Sequence, residues 1–419
     1  MADWTTDAND GLHLAFGPSA FVWAPCADPA QLRRRSPHAS PTPPSLIQYS
    51  ETTKKSTVTA TSKSAYVLLL LFIPLPQPPK LSFAAGSLLQ CLSITYSDKL
   101  QAATVDDVEA SLAKFIPHGY HTDEATFLRQ AELDARSFRP YGDLVYSYTR
   151  SQVSFEVYHS TWDTPGFREY HRRLQLFVLL FIEGGSYIND DEDAWEFMVL
   201  YEKRDSTYCL VGYSSLYNFY HFPEKVRMRL SQFIILPQYQ RHGHGSELYK
   251  AIYQYVCSQP HIAELTVEDP AEAFEDLRDK NDLQMLLSNE QFMQQGFGQH
   301  ALSHGGGRVG RTGKAKKREM IAKLGPPTDK AWAEKWRREL KFAARQFQRL
   351  VEMLILSRLD SLDTQIAKAY RLQVKERLYR FNYEILAQMD KQERLEKLEE
   401  TFQSVKDDYQ RILKMALCI

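Results

Sequence analysis

The sequence contains few cysteines, and their spacing excludes the usual cysteine-based sites. The five cysteines among 419 residues show neither the paired spacing of a zinc site nor the framework of a disulfide-rich protein. We therefore expect no bound metal and a reducing, intracellular compartment. The five are Cys26, Cys91, Cys209, Cys257 and Cys418.

An excess of one charge and a long apolar run are also missing. Lys and Arg number 51 against 52 Asp and Glu, which gives a formal net charge of −1, so net charge gives no reason to expect direct nucleic-acid binding. The apolar run Ala65–Ile73 is far shorter than the roughly 20 residues that cross a bilayer, and no signal-peptide pattern begins the chain. We expect no membrane association.

The most informative segment is residues 234–248, where an apolar strand runs into a glycine-containing turn and an amphipathic helix. Gly243 and Gly245 lack a Cβ, so the backbone can turn tightly there and approach a ligand closely. Leu248 and Ile252 recur at helical spacing, which predicts a helix that begins at the turn. The unpaired amides of that helix N terminus favour an anion, and we predict a pyrophosphate site.

The turn fits neither the P-loop nor the dinucleotide fingerprint, because it lacks a Lys-Ser/Thr pair and the pattern G-x-G-x-x-G. Gln240, Gly243 and Gly245 instead match the pattern Gln/Arg-x-x-Gly-x-Gly/Ala. The segment thus resembles the acetyl-coenzyme A (acetyl-CoA) turn of N-acetyltransferases in the GNAT superfamily. The alternative is an ordinary strand-to-helix turn without a ligand.

A second motif, over residues 264–279, is a short β-prone run broken by Pro270 and followed by an acidic helix. This motif closely resembles the catalytic subunit of type B histone acetyltransferases. The resemblance runs from about Leu81 to the C terminus and is densest over residues 177–278. Further matching stretches are residues 181–188, 211–213, 217–220, 227–232 and 371–381.

The pattern and the resemblance together predict an α+β fold: a GNAT mixed sheet flanked by helices, a small α+β N-terminal domain and a C-terminal helical bundle. The expected domains are 1–80 (atypical), 81–165 (N-terminal), 166–295 (catalytic), 296–327 (basic Gly-rich linker) and 328–419 (helical). Expected strands of the central sheet are Phe177–Ile182, Glu196–Glu202, Cys209–Leu216 and Arg229–Leu236. The N-terminal domain should contain strands Leu92–Tyr96, Asp143–Tyr148 and Val153–Tyr158 with a helix near Val105–Phe115.

Transfer of an acetyl group to lysine requires a neutral amine, although free lysine has a pKa of about 10.4, so a carboxylate or an ordered water must accept a proton. Glu268 ends a strand after the glycine turn, and negative charges on Asp269 and Glu183 would raise its pKa. The resemblance assigns the general base to Glu268 and supporting roles to Asp269 and Glu183. Alternatively, Glu183 is a solvated strand-end acid and Asp269 a helix cap. Cys257 is apolar-flanked, and we expect it to be buried rather than nucleophilic.

The resemblance also assigns ligand contacts. The family often has a small polar residue where this chain has Ala271, so only backbone contacts are expected there, and Lys280 is either a phosphate ligand or a solvated lysine. The pantetheine arm would pair with the amides of Phe233, Ile234 and Ile235, and the pyrophosphate would lie on Gln240, Arg241, His242, Gly243, His244, Gly245 and Ser246. Tyr217, Asn218 and Phe219 would contact the histone, with ordinary aromatic packing as the alternative.

The partners are implied by the resemblance alone. They are newly synthesised histone H4, with histone H3, and a WD-repeat histone-binding subunit, in the nucleus and cytoplasm. Two alternatives remain open, a non-catalytic histone-chaperone scaffold and an acetyltransferase for another amine. The basic run Lys314–Arg318 is either a nuclear-import or phosphate-binding signal or a solvated loop.

Residues 17–80 carry neither a helical nor a strand period, and the family's Phe-Gly-Tyr element, which lines the histone groove, is missing there. We hypothesise a divergent insertion or an intron translated by a faulty gene model. On the intron hypothesis, transcripts sequenced across Phe16–Leu81 will lack most of this segment. A message that encodes every residue would contradict the intron and leave the insertion.

Overall fold

The structure is a computed structural model that describes residues 13–16, 80–94, 108–298, 322–359 and 363–417. The described residues form two compact units. The first unit lies within Met1–Asn218 and Leu230–Ala251, and the second within Phe219–Arg229 and Ile252–Ile419.

The N-terminal part of the first unit is a three-stranded sheet with two helices. Strand β1 (His13–Phe16) pairs in parallel with β2 (Lys80–Phe83), which pairs antiparallel with β3 (Gln90–Ser93). Lys80, expected within the irregular segment, is therefore the first residue of a strand. Helices α1 (Val108–Ala113) and α2 (Glu124–Ser137) follow.

Helix α2 was not predicted. Only Phe127 and Ala131 of its residues are buried, so its apolar periodicity is weak. The signal that was present is its N-cap: the Asp123 carboxylate accepts a hydrogen bond from the Thr126 amide at 2.7 Å, which satisfies one of the unpaired amides of the first turn.

The main sheet has six strands in the order β4-β5-β6-β7-β8-β9. Each pair of neighbours from β4 to β7 is antiparallel. Strands β7 and β8 each pass from one unit into the other, and β9 belongs to the second unit. The strands are β4 (Asp143–Arg150), β5 (Val153–Thr161), β6 (Trp195–Arg204), β7 (Thr207–His221), β8 (Lys225–Ile235) and β9 (Ile262–Val267).

Three of the four strands expected in the central sheet are confirmed, as parts of β6, β7 and β8, and the expected hairpin of Asp143–Tyr148 and Val153–Tyr158 is β4 and β5. The prediction of a strand at Phe177–Ile182 is wrong, because Phe177 to Phe181 end helix α3 (Phe167–Phe181). A short apolar run alone cannot distinguish a buried strand from a buried helix. Glu183 consequently follows a helix rather than a strand.

Helix α3 buries one face in the core of the first unit. Phe167, Tyr170, His171 and Leu174 repeat at helical spacing, and each is at most 1% exposed. His171 Nε2 lies 2.7 Å from the Tyr213 hydroxyl. Burial lowers the pKa of His171 to about 3, so the imidazole is neutral near pH 7 and participates in the core as a hydrogen-bonding group.

The second unit is mainly helical, which confirms the predicted helical bundle. Its core contains the apolar residues expected from the sequence, among them Trp332, Trp336 and Phe347. Helix α4 (His244–Ser258) begins in the first unit and ends in the second. The later helices are α5 (Glu272–Ser288), α6 (Glu290–Phe297), α7 (Lys330–Glu339), α8 (Ala344–Ser357), α9 (Thr364–Phe381), α10 (Tyr383–Leu386) and α11 (Lys391–Leu417).

Buried charges in this bundle are paired. Glu352, 2% exposed, accepts hydrogen bonds from Arg377 Nε at 2.8 Å and from the Tyr409 hydroxyl at 2.8 Å. Arg349 Nε donates to the buried carboxylate of Asp279 at 2.7 Å. Because removal of one partner would leave a charge buried without compensation, these pairs restrict how the helices can pack.

Two sequence features fall outside the described residues, the apolar run Ala65–Ile73 and the basic run Lys314–Arg318. Across the parts that the structure does describe, no helix combines the length and apolar character required to cross a membrane.

We expect His171 to make stability sensitive to acid. Its pKa is lowered on folding from about 6.5, so the stability from the neutral form is present above pH 6.5 and is lost as pH falls towards 3. The loss is about 1.4 kcal/mol per pH unit. Urea unfolding between pH 6.5 and 5.0 should show a shallower pH dependence in His171→Gln than in the wild type.

Tyr213→Phe is the matched control, because it removes the hydrogen-bond partner and leaves the imidazole in place. It should lower stability and retain the slope. Equal slopes in the wild type and His171→Gln would contradict the assignment.

Candidate active site

The turn after β8 has the backbone geometry expected of an anion site. The sheet strand ends at Ile235, residues Pro237–Tyr239 form a 3₁₀ turn, and α4 begins at His244. Gly243 has φ +83°, in the left-handed region that favours glycine. The Gln240 side-chain amide donates to the Ile235 carbonyl at 2.8 Å, which ties the turn to the end of the strand.

The tight turn expected at Gly245 is not found there. Gly245 lies within the first turn of α4 and not in the left-handed region. The reversal therefore depends on the left-handed backbone of Arg241, with φ +60°, and of Gly243, and Gly245 contributes through the absence of a side chain. Gln240, Arg241 and His242 are exposed, His244 is buried, and Gly245 and Ser246 are half-buried.

A glycine on the neighbouring strand permits close packing beneath this region. A Cβ built on Gly212 would lie 2.7 Å from the Ile234 carbonyl oxygen and 2.5 Å from Ile235 Cδ1. Any larger residue would displace the strand end that holds Phe233, Ile234 and Ile235. Residues 211–213 belong to a stretch that resembles the family, but the local sequence around Gly212 does not predict this packing role.

Strand β4 contacts the turn through one face, which sequence reasoning missed. The Tyr146 hydroxyl donates to Glu247 at 2.8 Å, and the Tyr148 hydroxyl lies 2.6 Å from His244 Nδ1. The Arg150 guanidinium donates to the His242 carbonyl. The sequence signal for this face was the i, i+2, i+4 spacing of Tyr146, Tyr148 and Arg150, because alternate residues of a strand point to the same side.

His244 contributes no positive charge to the turn near pH 7. Burial, followed by the nearby charge of Arg150, lowers its pKa to about 4. Burial also raises the pKa of Tyr148 well above its usual value, so its hydroxyl is protonated. The pair is a neutral hydrogen bond, and the cationic groups beside the turn are arginines.

In the second unit, Glu268 directly follows β9. Its Oε1 lies 3.6 Å from Arg229 Nη1, and the Arg229 guanidinium lies 4.2 Å from the centre of the Phe219 ring. The structure thus brings together the predicted base and one predicted substrate residue through an arginine that the sequence analysis did not single out. Asp269 follows with φ +31°.

The strand that presents Glu268 is fixed by a charged clamp. Glu264, 8% exposed, accepts hydrogen bonds from Arg227 at 2.6 Å and from Arg337 at 2.8 Å. The Thr266 hydroxyl donates to the Met228 carbonyl at 3.2 Å. These contacts join β9 to the N-terminal half of β8 and to α7.

The remaining predicted histone residues, Tyr217 and Asn218, lie within the C-terminal half of β7, in the part of the strand that belongs to the first unit. The Asn218 side-chain amide donates to Glu196 Oε1 at 2.5 Å, and the Glu196 Oε2 atom lies 2.8 Å from His159 Nε2. The Tyr217 ring contacts Trp195 edge-on at 4.8 Å between centroids. These contacts orient both side chains, and a histone contact remains a prediction.

The other predicted residues are Ala271, Lys280 and Glu183. Ala271 is the exposed N-cap residue of α5 and gives it no side-chain cap, and Lys280 is half-buried on α5. Glu183 is exposed and lies in the first unit, whereas Glu268 and Asp269 lie in the second.

The prediction that Cys257 is buried is wrong, because the residue is exposed. Desolvation still raises the pKa of its thiol, which disfavours the thiolate that a nucleophile would require. The described ranges contain no group of three or more His, Cys, Asp or Glu residues that could hold a metal ion.

Three family models match the chain. The model described as Histone acetyl transferase HAT1 N-terminus matches residues 80–183 and the Acetyltransferase (GNAT) family model matches 155–274. The model described as Fungal HAT1, C-terminal matches 315–360.

Curated relatives are similar in sequence to this chain over most of their length. The Histone acetyltransferase type B catalytic subunit of Cryptococcus neoformans var. neoformans serotype D is 46% identical over 369 residues, covering 80% of this chain and 84% of the relative. The protein of the same name from Mycosarcoma maydis is 43% identical, with 79% and 77% covered. That of Debaryomyces hansenii is 34% identical, with 77% and 75% covered.

A solved aminoglycoside acetyltransferase from a soil metagenomic sample, in complex with sisomicin, is 14% identical with a TM-score of 0.22 and covers 39% of this chain and 97% of its own. So distant a neighbour says nothing of the substrate of this chain.

The mixed sheet, the turn at a helix N terminus and the matched model define an acetyltransferase of the GNAT class, which implies acetyl-CoA as the donor. The turn fits its diphosphate, since Gly243 supplies the left-handed reversal that directs the chain into α4. The chain belongs to the family of type B histone acetyltransferase catalytic subunits, and it is a histone acetyltransferase. The family expected from the sequence is confirmed.

Gly243→Ala should weaken coenzyme A binding about tenfold or more. The new Cβ would lie 2.5 Å from Arg150 Nη1 at a residue with φ +83°, so either the reversal or the arginine must move. Isothermal titration with coenzyme A measures the dissociation constant. Gly298→Ala is the matched control, because φ there is +84° and no atom lies within 4 Å of the added Cβ.

Both variants should lose similar stability, about 1 kcal/mol or somewhat more, and only Gly243→Ala should lose affinity. Unchanged coenzyme A binding in a folded Gly243→Ala protein would contradict the role of the turn.

Proposed function

We propose that this histone acetyltransferase modifies lysines in the N-terminal tail of newly synthesised, free histone H4 before chromatin assembly. Glu268 is the general base, and the amine attacks the thioester directly in a ternary complex. The observation that carries the mechanism is the placement of the Glu268 carboxylate at the end of β9, beside an arginine that stacks on Phe219.

In the proposed reaction, Glu268 accepts a proton from the lysine ammonium group, directly or through one water. The neutral amine then forms a bond to the thioester carbonyl carbon. The carbon–sulfur bond breaks, and the coenzyme A sulfur takes a proton to leave as the thiol. Asp269 and Glu183 support this step as additional carboxylates that favour a cationic substrate.

Donor contacts are proposed along two segments. Backbone amides of Phe233, Ile234 and Ile235 pair with the pantetheine arm, and residues 240–246 hold the pyrophosphate. Ala271 contributes only backbone atoms, and Lys280 a phosphate contact.

A basic histone tail suits the aromatic element Tyr217–Phe219. The Phe219 ring stacks on the guanidinium of Arg229, the kind of cation–π contact by which an aromatic side chain can also hold a basic residue of a histone tail. The partners we propose are histone H4 bound to histone H3 and a WD-repeat histone-binding subunit, in the nucleus and cytoplasm. The support is the printed name of the relatives, type B histone acetyltransferase.

Glu268→Gln should reduce acetyl transfer to an H4 tail peptide by at least about a hundredfold, the low end for a positioned base. The amide keeps the shape of the side chain and cannot accept the proton. Mass spectrometry of the peptide with acetyl-CoA measures the product. Glu272→Gln is the control, because Glu272 is an exposed acid in the first turn of α5, and it should retain activity.

A folded wild-type protein that binds coenzyme A without transfer to any histone peptide would favour the non-catalytic scaffold. Faster transfer to a polyamine than to the H4 peptide would indicate another acceptor. Activity of Glu268→Gln within a few fold of the wild type would eliminate this glutamate as the base.

A further inference from the structure

We propose that Arg150 is a positioning residue for the diphosphate of acetyl-CoA, through the peptide between His242 and Gly243. This inference rests on the proposed donor site and adds a residue from β4 to it. Arg150 acts on the backbone of the turn and on the charge of Glu247, and it is not required to touch the donor.

Side chains of strand β4 contact the turn and the start of α4 at three points. Tyr146 contacts Glu247, Tyr148 contacts His244, and Arg150 donates to the His242 carbonyl. Tyr148 also stacks on Phe155 of the adjacent strand, at 5.1 Å between ring centroids. Packing within the sheet therefore supports these three contacts. Arg150 makes the one that reaches the turn itself.

The contact of Arg150 orients an amide. The His242 carbonyl and the Gly243 N–H belong to one planar trans peptide, so they point in opposite directions. A guanidinium bound to the carbonyl fixes that side of the peptide and directs the N–H away from Arg150. Gly243, with φ +83°, then leads into α4, whose N terminus carries the positive end of the helix dipole. The amides of the turn are thus preorganised for an anion.

The second effect of Arg150 is electrostatic. Glu247 lies in the first turn of α4, where its negative charge would oppose a bound diphosphate. Although burial raises the pKa of Glu247, the hydrogen bond from Tyr146 and the charges of Lys250 and Arg150 hold it below its usual value. Arg150 Nη2 lies 3.8 Å and Lys250 Nζ 3.0 Å from Glu247 Oε1, so the carboxylate is ionised but compensated.

The test compares two acetyl donors. Acetyl-CoA contains the diphosphate, whereas S-acetylpantetheine has the same thioester without phosphate. Arg150→Ala should lower kcat/KM for acetyl-CoA at least about tenfold, mainly through KM, and should leave kcat/KM for S-acetylpantetheine and KM for the H4 peptide unchanged. The dissociation constant of coenzyme A, measured by titration without turnover, should rise by a similar factor.

Two variants control for charge and fold. Arg150→Lys keeps a cation and a donor, and it should restore most of the lost affinity. Arg139→Ala removes an exposed arginine that likewise donates to backbone carbonyls, those of Phe138 at 2.7 Å and Ser206 at 3.2 Å. It should retain wild-type values with both donors.

The outcomes separate this inference from the proposed function. Equal kinetics of the wild type and Arg150→Ala with acetyl-CoA would overturn the inference, and so would an equal loss with both donors, which indicates a structural role only. Should Arg150→Ala fail to fold, Arg150→Gln, which removes the charge and keeps a polar side chain, decides the same comparison. A wild type that uses neither donor would instead contradict the proposed function.

Discussion

The reversal at Gly243 is the constraint on which the donor site depends. The chain must leave β8 at Ile235 and begin α4 at His244, and only a few residues are available to reverse its path. The left-handed φ of Gly243 contributes to the reversal. The hydrogen bond from the Gln240 side chain to the Ile235 carbonyl fixes the beginning of the turn. The turn therefore leads into the N terminus of α4, where the positive end of the helix dipole supports the proposed anion site.

Each unit places an arginine beside a carboxylate that is relevant to the proposed function. In the first unit, Arg150 lies beside Glu247, and in the second, Arg229 lies beside Glu268. The groups are partly exposed, so these pairs add little stability. Their effect is on orientation: a carboxylate held by an arginine has fewer accessible rotamers, and the base that we propose at Glu268 must be placed accurately to accept a proton.

Local sequence signals predicted the strands and the turn but not the contacts between distant segments. The sheet strands β6 to β8 alternate or continue in apolar character, and Gln240, Gly243 and Gly245 are close in sequence, so both were predictable. Phe177–Ile182 was assigned to the wrong class because the end of α3 is apolar throughout. Arg150 lies some ninety residues before the turn, and Arg229 some forty before Glu268, so only the sheet topology shows that each pair meets.

The anion recognition that we propose for this turn depends on geometry more than on charge. Because burial keeps His244 neutral above about pH 4, the imidazole cannot pair with a phosphate as a cation near neutral pH. Exposed arginine charges are screened by salt, whereas backbone amides act only at contact distance and only when they are correctly directed. On this proposal, a chain with a net charge of −1 can hold a diphosphate without an excess of basic residues. This explains why the glycine turn was informative in the sequence and the composition was not.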